Sequence, residues 1–401
     1  MRPEPNSLST AEGGPPPAFP LCVFTPELGI ASQTFIKRHI ELLMPGETAV
    51  VTERIRTRDG VEMSRYLAVL ELGRIPVGRA QRVVAFGARH IRRMPLGGGI
   101  REARSFLRQH GVAVIMGEHL DTSLPLLAAS RGLGLRFFAH AHGHDVSMRL
   151  NDGVWRKRYL AYNRASGIIT MSEVSRDRLI RIGLDASRIH VIPYGVDVPP
   201  AHIERQDDET VRCLAVGRMV EKKGPVLLLD AFRRALETHP MLHLDYVGAG
   251  PLLPAAEHFV RAFSLEQKVT LHGEVSNAKV LELMVRADIF VHHAITSADG
   301  NAEGLPVAVL EAMANSLPVV ATRHEGIPEA VSHGVSGMLV NDGDTRGMAA
   351  DIALLSGNAP LRRSMGKEAW SKARSSFSWE LERDRLRRLL SLNPRRDLRT
   401  R

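Results

Sequence analysis

The chain has 401 residues, 44% of them apolar, and a formal net charge of +9. That length accommodates two domains of ordinary size, and no apolar run reaches the roughly 18 residues that a membrane-spanning helix needs. The positive balance points to an anionic partner, but aromatic residues make up only 5% and no nucleic-acid motif is present, so a phosphorylated substrate or an anionic lipid surface is expected rather than nucleic acid.

Residues 1–20 are rich in Pro, Gly and Ser and lack the apolar core of a secretory signal, which predicts a disordered lead. LCVFT (21–25) reads as a strand, followed by the glycine-containing loop PELGIASQT and a helix from Thr34 to Leu43. Strand, glycine loop and helix N-terminus suit a phosphate, because the N–H groups of a first helical turn are unpaired. TAVVTER (48–54) reads as a second strand. Eight arginines face one acid, Glu102, between 79 and 108. A helical wheel from Ala80 gathers Val83, Val84, Ile91 and Met94 on one side, and Arg79, Arg82, Arg89, Arg93 and Phe86 on the other. That pattern fits an anionic membrane surface or a solvated helix face.

Helical pattern at 101–110, 124–132, 155–165 and 172–183 then alternates with strand pattern at 111–116, 135–143 and 167–172, and RIHVIPYGVD (188–197) closes the first half. VPPAHIERQDDET (198–210) is polar and proline-containing and reads as an interdomain linker. The second half restarts with VRCLAVGR (211–218). Strands at 243–250, 268–275, 288–294, 317–322 and 337–340 alternate there with helices at 225–238, 251–263, 277–286, around Glu311, and on to about 376. This rhythm predicts an α/β protein with a parallel sheet and right-handed crossovers in each half. WELERDRLRRLLSLNPRRDLRTR (379–401) reads as a charged helix that breaks near Pro394. Cys22 and Cys213 lie in apolar strands and read as buried thiols of a reducing compartment.

Ligands of open α/β sheets bind at the carboxyl ends of strands, and four such ends in the second half carry unusual residues. GRMVEKKG (217–224) offers Arg218, Lys222 and Lys223 beside glycines, a fork and point charges that can grip a diphosphate or form an ordinary basic turn. In YVGAGP (246–251), Gly248 and Gly250 would let backbone approach a ligand closely. LHGEVS (271–276) contributes Glu274 and Val275. The fourth end leads into EGLPVAVLEAMANSLPVVAT, where Glu303, Gly304 and Leu305 precede a helix bearing Glu311. A carboxylate on the loop and another in the first helical turns can face one pocket, one acid meeting a sugar and the other a ribose.

In the first half, HAHGHDV (140–146) carries three histidines and an aspartate. A metal site is disfavoured there, since alternate residues of an extended chain converge poorly. The expected role is a histidine oriented by a carboxylate such as Asp145 near developing charge. NDGD (341–344) could hold a divalent ion through Asp342 and Asp344, but a Gly/Asp turn with a helix N-cap accounts for it as well.

Together these loops resemble the retaining glycosyltransferases of family four, from about residue 21 to 376. The most specific part is the E-x7-E spacing of Glu303 and Glu311. GIPE (326–329), HGVSGMLV (333–340), GRMVEKKG, VGAGP, HGEV, VIPYGVD and HGHD fit the same pattern. PELGIASQTFI resembles the subgroup acting in exopolysaccharide and colanic-acid-type assembly, which usually has Ser-Glu-Thr where this chain has Ser32, Gln33 and Thr34.

The resemblance implies the GT-B fold: two Rossmann-like domains with a cleft between them. Residues 21–197 would form the acceptor-binding domain and 198–376 the donor-binding domain, and residues 377–401 would cross back to the first domain and end in a basic tail. It implies that Arg218 and Lys223 neutralise the donor diphosphate and that Glu311 binds ribose hydroxyls. Glu303 and His142 would lie near the transferred sugar, and Gly29 near the phosphates. No metal or other cofactor is expected.

The expected partners are a UDP- or GDP-sugar donor and a glycan or lipid-linked oligosaccharide acceptor. The expected location is the cytoplasm, at the inner face of the plasma membrane if the arginine-rich face binds lipid. A nucleotide-sugar epimerase or phosphorylase on the same scaffold, or an inactive sugar-nucleotide-binding subunit, are the rival readings. An NAD-dependent oxidoreductase is disfavoured because PELGIASQT lacks G-x-G-x-x-G spacing.

Overall fold

The structure, a computed structural model, describes residues 19–30, 33–56, 66–74, 99–206 and 208–393. Most of the N-terminal lead, Ser32, the arginine-rich stretch at 79–93 and the basic tail beyond 393 lie outside them.

Two parallel sheets organise the chain. The first contains β1 (Leu21–Leu28), β2 (Thr48–Ile55), β3 (Val69–Glu71), β4 (Val114–Glu118), β5 (Arg136–His140), β6 (Gly167–Thr170) and β7 (Ile189–Val191), in the order 3-2-1-4-5-6-7. The second contains β8 (Val211–Val216), β9 (Leu242–Val247), β10 (Val269–Gly273), β11 (Ile289–His292), β12 (Val319–Thr322) and β13 (Gly337–Val340), in the order 10-9-8-11-12-13. Parallel strands covered by helices on both faces are apolar along their whole length. VVAT and IFVH are accordingly buried at every position. The strand order reverses between β1 and β4 in one sheet and between β8 and β11 in the other, and a crevice opens at the carboxyl ends beside each reversal.

Helices cover both faces of each sheet and give each lobe its own core. The chain crosses between the lobes twice, at Val196 and Ser378, which pair as a β-bridge. A Cβ on Gly195 would come within 2.6 Å of Trp379 Cα, so the two crossings touch only because residue 195 lacks a side chain. The C-terminal helix (Trp379–Leu390) then packs Leu386 and Leu390 against Leu21, Val23, Ile36 and Ile40 of the first lobe. The segment after the first crossing is fastened to the second lobe by Arg205, whose guanidinium donates to the carbonyls of Ala287, Ser316, Met284 and Asn315.

Most elements fall where the apolar periodicity puts them, with ends shifted by a few residues. The helix expected at 124–132 begins at Leu120, and Pro125 sits within its first turns. The loop after β5 is not extended: Gly143–Val146 is a short helix.

Candidate active site

The carboxyl ends of β8 and β11 meet in one charged cluster. A single 3₁₀ turn, Glu221–Lys223, follows β8 and is closed by Gly224 in the left-handed region at φ 49°. Any Cβ there would lie 2.9 Å from the carbonyl oxygen and ring of His293, so glycine is required by the neighbouring strand end. The turn aims both lysines at Glu303: Lys223 Nζ lies 2.7 Å and Lys222 Nζ 3.0 Å from its carboxylate. Burial opposes ionisation of Glu303, but the two lysines outweigh it and hold its pKa well below the usual carboxylate range. Burial lowers the pKa of Lys223, Glu303 opposes that shift, and Lys222 and Arg218 reinforce it. Arg218 is exposed, and its guanidinium makes no hydrogen bond or ion pair with another described residue, while its carbonyl accepts from Val220 N at 2.9 Å. The cluster thus offers three cations and holds one anion.

Glu303 lies on the loop that leads into the helix Val307–Ala314, which carries Glu311. Burial pushes the pKa of Glu311 up to about 7, Arg38 from the first lobe opposes this, and Asp197 adds to it. Arg38 itself bonds Asp197 at 2.6 Å and the Gly195 carbonyl at 2.7 Å, at the first crossing. The two acids of the E-x7-E spacing therefore sit in different electrostatic surroundings: one is locked to lysines, and the other lies close to neutral pH.

The first lobe presents the turn at His142 to the same loop. A Cβ on Gly143 would lie 2.7 Å from Gly304 N and 3.0 Å from the Ala302 carbonyl, so the two backbones are in direct contact. The His142 ring turns back into its own lobe. Nε2 lies 2.8 Å from Glu118 Oε2, and Nδ1 lies 2.6 Å from the Tyr194 hydroxyl. This corrects the expectation for Asp145, whose carboxylate accepts from the His142 backbone N–H at 2.9 Å and lies 3.5 Å from His119 Nδ1. The carboxylate on the His142 ring is Glu118, at the end of β4. Burial and the neighbouring histidines push the His142 pKa down to about 3, so the ring is neutral.

Other expected residues are positioned as follows. Gly248 and Gly250 have positive φ (143° and 154°), but what they meet is protein: Cβ atoms there would collide with the carbonyls of Gly217 and Met219. They let the β9 loop lie on the Arg218 loop, which it bonds through Met219 N to Ala249 O at 2.9 Å. Glu274 is exposed, and Val275 packs on the second-lobe core. Leu305 is buried in that core, and Gly29 turns the chain out of β1 at φ 95°. In NDGD, Asp344 caps the helix Thr345–Gly357 by accepting from Gly347 N at 2.8 Å, and Asp342 bonds His324 Nδ1 at 2.7 Å. The two aspartates therefore serve different partners.

Several residues that the sequence reading passed over belong to this site. Glu118 and Tyr194 hold the His142 ring, and His324 lies between Asp342 and the Glu303 backbone N–H. Arg178 spans the lobes, bonding Glu325 at 2.6 Å, and Glu329 accepts from Glu173 N and Val174 N at the start of a first-lobe helix. Tyr194, inside VIPYGVD, and Glu329, inside GIPE, carried a local signal, and Glu325 lies beside the latter; Glu118, His324 and Arg178 carried none.

Two lobes of this topology, with cations and paired acids at the facing strand ends, define the class of GT-B glycosyltransferases. Comparisons with known proteins place the chain within that class. Residues 202–372 match the family model described as glycosyl transferases group 1, and residues 50–199 match the one described as glycosyltransferase family 4. Each half of the chain thus matches a glycosyltransferase family model.

Among its relatives are the amylovoran biosynthesis glycosyltransferase AmsK of Erwinia amylovora, 33% identical over 54% of this chain and 54% of that one. The putative colanic acid biosynthesis glycosyltransferase WcaL of Escherichia coli K12 is 32% identical, with the same coverage of both chains. The match spans about half the length of these curated relatives. In fold, the chain is similar to Anabaena Alr3699/HepE solved with UDP and glucose, with TM-score 0.75 and 17% identity over 94% of this chain and 100% of that one.

Proposed function

We propose that this chain moves a sugar from a nucleoside diphosphate donor to a hydroxyl of a glycan or lipid-linked acceptor, with retention of configuration, in the assembly of an exopolysaccharide or other cell-surface polysaccharide. The observation that carries this reading is the convergence of Lys222 and Lys223 on Glu303 at the β8/β11 crevice, with the Arg218 charge close enough to Lys223 to act on it. In the resting cleft, Glu303 satisfies the lysines. An entering diphosphate brings more negative charge than one carboxylate and competes for them. As the glycosidic bond breaks, charge builds on the leaving phosphate, and fixed cations stabilise that state more than the ground state. This is the work a divalent ion would otherwise do, so transfer is proposed to proceed without one.

Glu311, whose pKa of about 7 leaves it part-ionised at neutral pH, is proposed to accept hydrogen bonds from ribose hydroxyls. The acceptor is proposed to enter from the first lobe, where a cavity of about 540 Å³ at the ends of β1 and β2 is lined by Phe24, Leu72, Leu126, Glu27 and Arg54. Same-face attack, with a donor phosphate oxygen taking the acceptor proton, is the proposed route to retention. No helix among the described residues is long and apolar enough to cross a membrane. Work at the inner face of the plasma membrane is proposed from the arginine-rich sequence at 79–93, and preferential sedimentation with anionic over neutral vesicles tests it.

Support for the donor class comes from HepE, which shares the fold and was solved with UDP and glucose, and support for the pathway from AmsK and WcaL, which are named for amylovoran and colanic acid biosynthesis. A thermal-shift panel of UDP, GDP and their sugars in EDTA tests the reading. One base and its sugars should raise the midpoint with the chelator present. No shift with any of them, or a shift only after a divalent ion is restored, would contradict it.

A further inference from the structure

The contact between Glu118 and His142 is one end of a longer buried chain. His39, fully buried on the first helix (Thr34–Leu42), lies with Nδ1 2.7 Å from Glu118 Oε1 and Nε2 3.1 Å from Glu382 Oε1. A ring flanked by two carboxylates bonds both only when both nitrogens carry protons. Burial opposes that charge, but Glu118 and Glu382 outweigh burial and push the His39 pKa up to about 10. Burial likewise opposes ionisation of Glu118, yet His140 and His39 hold its pKa well below the usual range.

An ionised Glu118 accepts the Nε2–H of His142, which leaves His142 Nδ1 to accept from the Tyr194 hydroxyl. At the other end, Glu382 Oε2 accepts from Gly195 N at 2.7 Å, at the first crossing. The rings of Phe35, Trp379 and His140 face His39 from the remaining sides. His39, Glu118 and His140 lie close enough together to resemble a metal-ligand set, but both His39 nitrogens are already bonded to carboxylates.

We propose that His39 is a positioning residue for transfer: its protonated ring pairs Glu118 with Glu382 and so fixes the place and tautomer of His142 beside the sugar loop. This rests on the reading of the Glu303 crevice as the transfer site. The mechanical link is short. His142 precedes Gly143, which packs so close to residues 302–304 that even a Cβ would collide with them, so a shift of this turn is transmitted to the loop that carries Glu303. The electrostatic link reaches the C-terminal helix, and the fastening between the lobes and the geometry of the site share one proton-bearing group.

The test uses the full-length chain, wild type, His39→Gln and Lys223→Ala. In protein labelled with ¹⁵N-histidine, at about pH 8, wild type should show a doubly protonated imidazolium that is absent in His39→Gln, together with an Nε2–H tautomer for His142. In transfer assays, His39→Gln should lower kcat up to about 100-fold while the donor KM stays within about threefold, because the donor is held by the other lobe. The acidic limb of its kcat profile should move to higher pH, since Glu118 loses a neighbouring cation, a change that a merely structural role would not produce.

Loss of activity in Lys223→Ala but wild-type kcat and an unmoved limb in His39→Gln would overturn this proposal and leave the transfer site standing. Wild-type activity in Lys223→Ala would overturn the site reading instead. A missing imidazolium signal in wild type, or a tightly bound metal ion in the purified protein, would overturn the role of the proton. If His39→Gln does not fold, Glu382→Gln serves: its His39 imidazolium should lose a proton at lower pH than in wild type, and an unchanged titration would overturn the proposal.

Discussion

At the scale of single residues, the lysines and Glu303 satisfy one another, and the proposed diphosphate would compete with Glu303 for them. Lys223→Ala removes a cation from the proposed phosphate site and leaves Glu303 with Lys222. The expected result is a loss of about 100- to 1,000-fold in kcat/KM, read from initial rates, with a small change in melting midpoint. Glu311 presents the opposite balance. Its pKa lies at about 7 in the folded protein, above the unfolded value, because burial disfavours its charge. For a carboxyl shifted upward, the folded state binds the proton more tightly, so this group costs stability as pH rises from the unfolded pKa through about 7. Glu311→Gln should therefore raise the melting midpoint of the empty protein above neutral pH, by about 1–2 kcal/mol of stability, and weaken donor binding at the same time. A variant that binds donor normally would remove Glu311 from the ribose site.

At the scale of elements, the loops are set by their neighbours as much as by their ligands. Gly248→Ala places a methyl group 1.9 Å from the Gly217 carbonyl. It should cost roughly 2–4 kcal/mol, measured by denaturant unfolding, and disturb the Arg218 turn. The C-terminal helix is anchored both by apolar burial and by the His39 pair with Glu382. His39 has a folded pKa above its unfolded value, so its contribution is complete below about pH 6.5 and is lost as pH rises through about 10. Wild type should lose more of its melting midpoint than His39→Gln between neutral pH and about pH 10.

The sequence disclosed these elements unevenly. Strands such as VRCLAV and VVAT were legible because parallel strands buried on two faces are uninterrupted apolar runs. The short helix Gly143–Val146 was not, because Gly, His and Asp have poor helix propensity and its stability comes from tertiary contacts. β3 is a three-residue edge strand, too short to carry a period.

At the scale of the whole molecule, the two-lobed plan and the E-x7-E acids were legible, and the pairings across the fold were not. The carboxylate on His142 comes from Glu118, 24 positions earlier, whereas the aspartate three positions away serves the backbone. Glu382 reaches His39 across 343 positions. Such pairings follow from sheet order and lobe packing, which local pattern does not specify.

The lobes are joined near the cleft by Arg178 with Glu325 and by Glu329 on the N–H groups of Glu173 and Val174. These contacts lie between the two lobes, which are proposed to part when a donor enters. Arg178→Ala should enlarge the radius of gyration of the empty protein in X-ray scattering, and donor should reverse much of the change. An identical radius with and without the substitution would show that the pair does not hold the lobes.

The claim on which the account depends is that protein cations hold a nucleoside diphosphate at the β8/β11 crevice. Calorimetric titration of UDP and GDP into wild type, Arg218→Ala and Lys223→Ala, all in EDTA, tests it most directly. The account predicts that one diphosphate binds wild type with the chelator present and binds each variant at least about tenfold more weakly. Equal affinity in all three proteins, or binding that appears only when a divalent ion is restored, would contradict it.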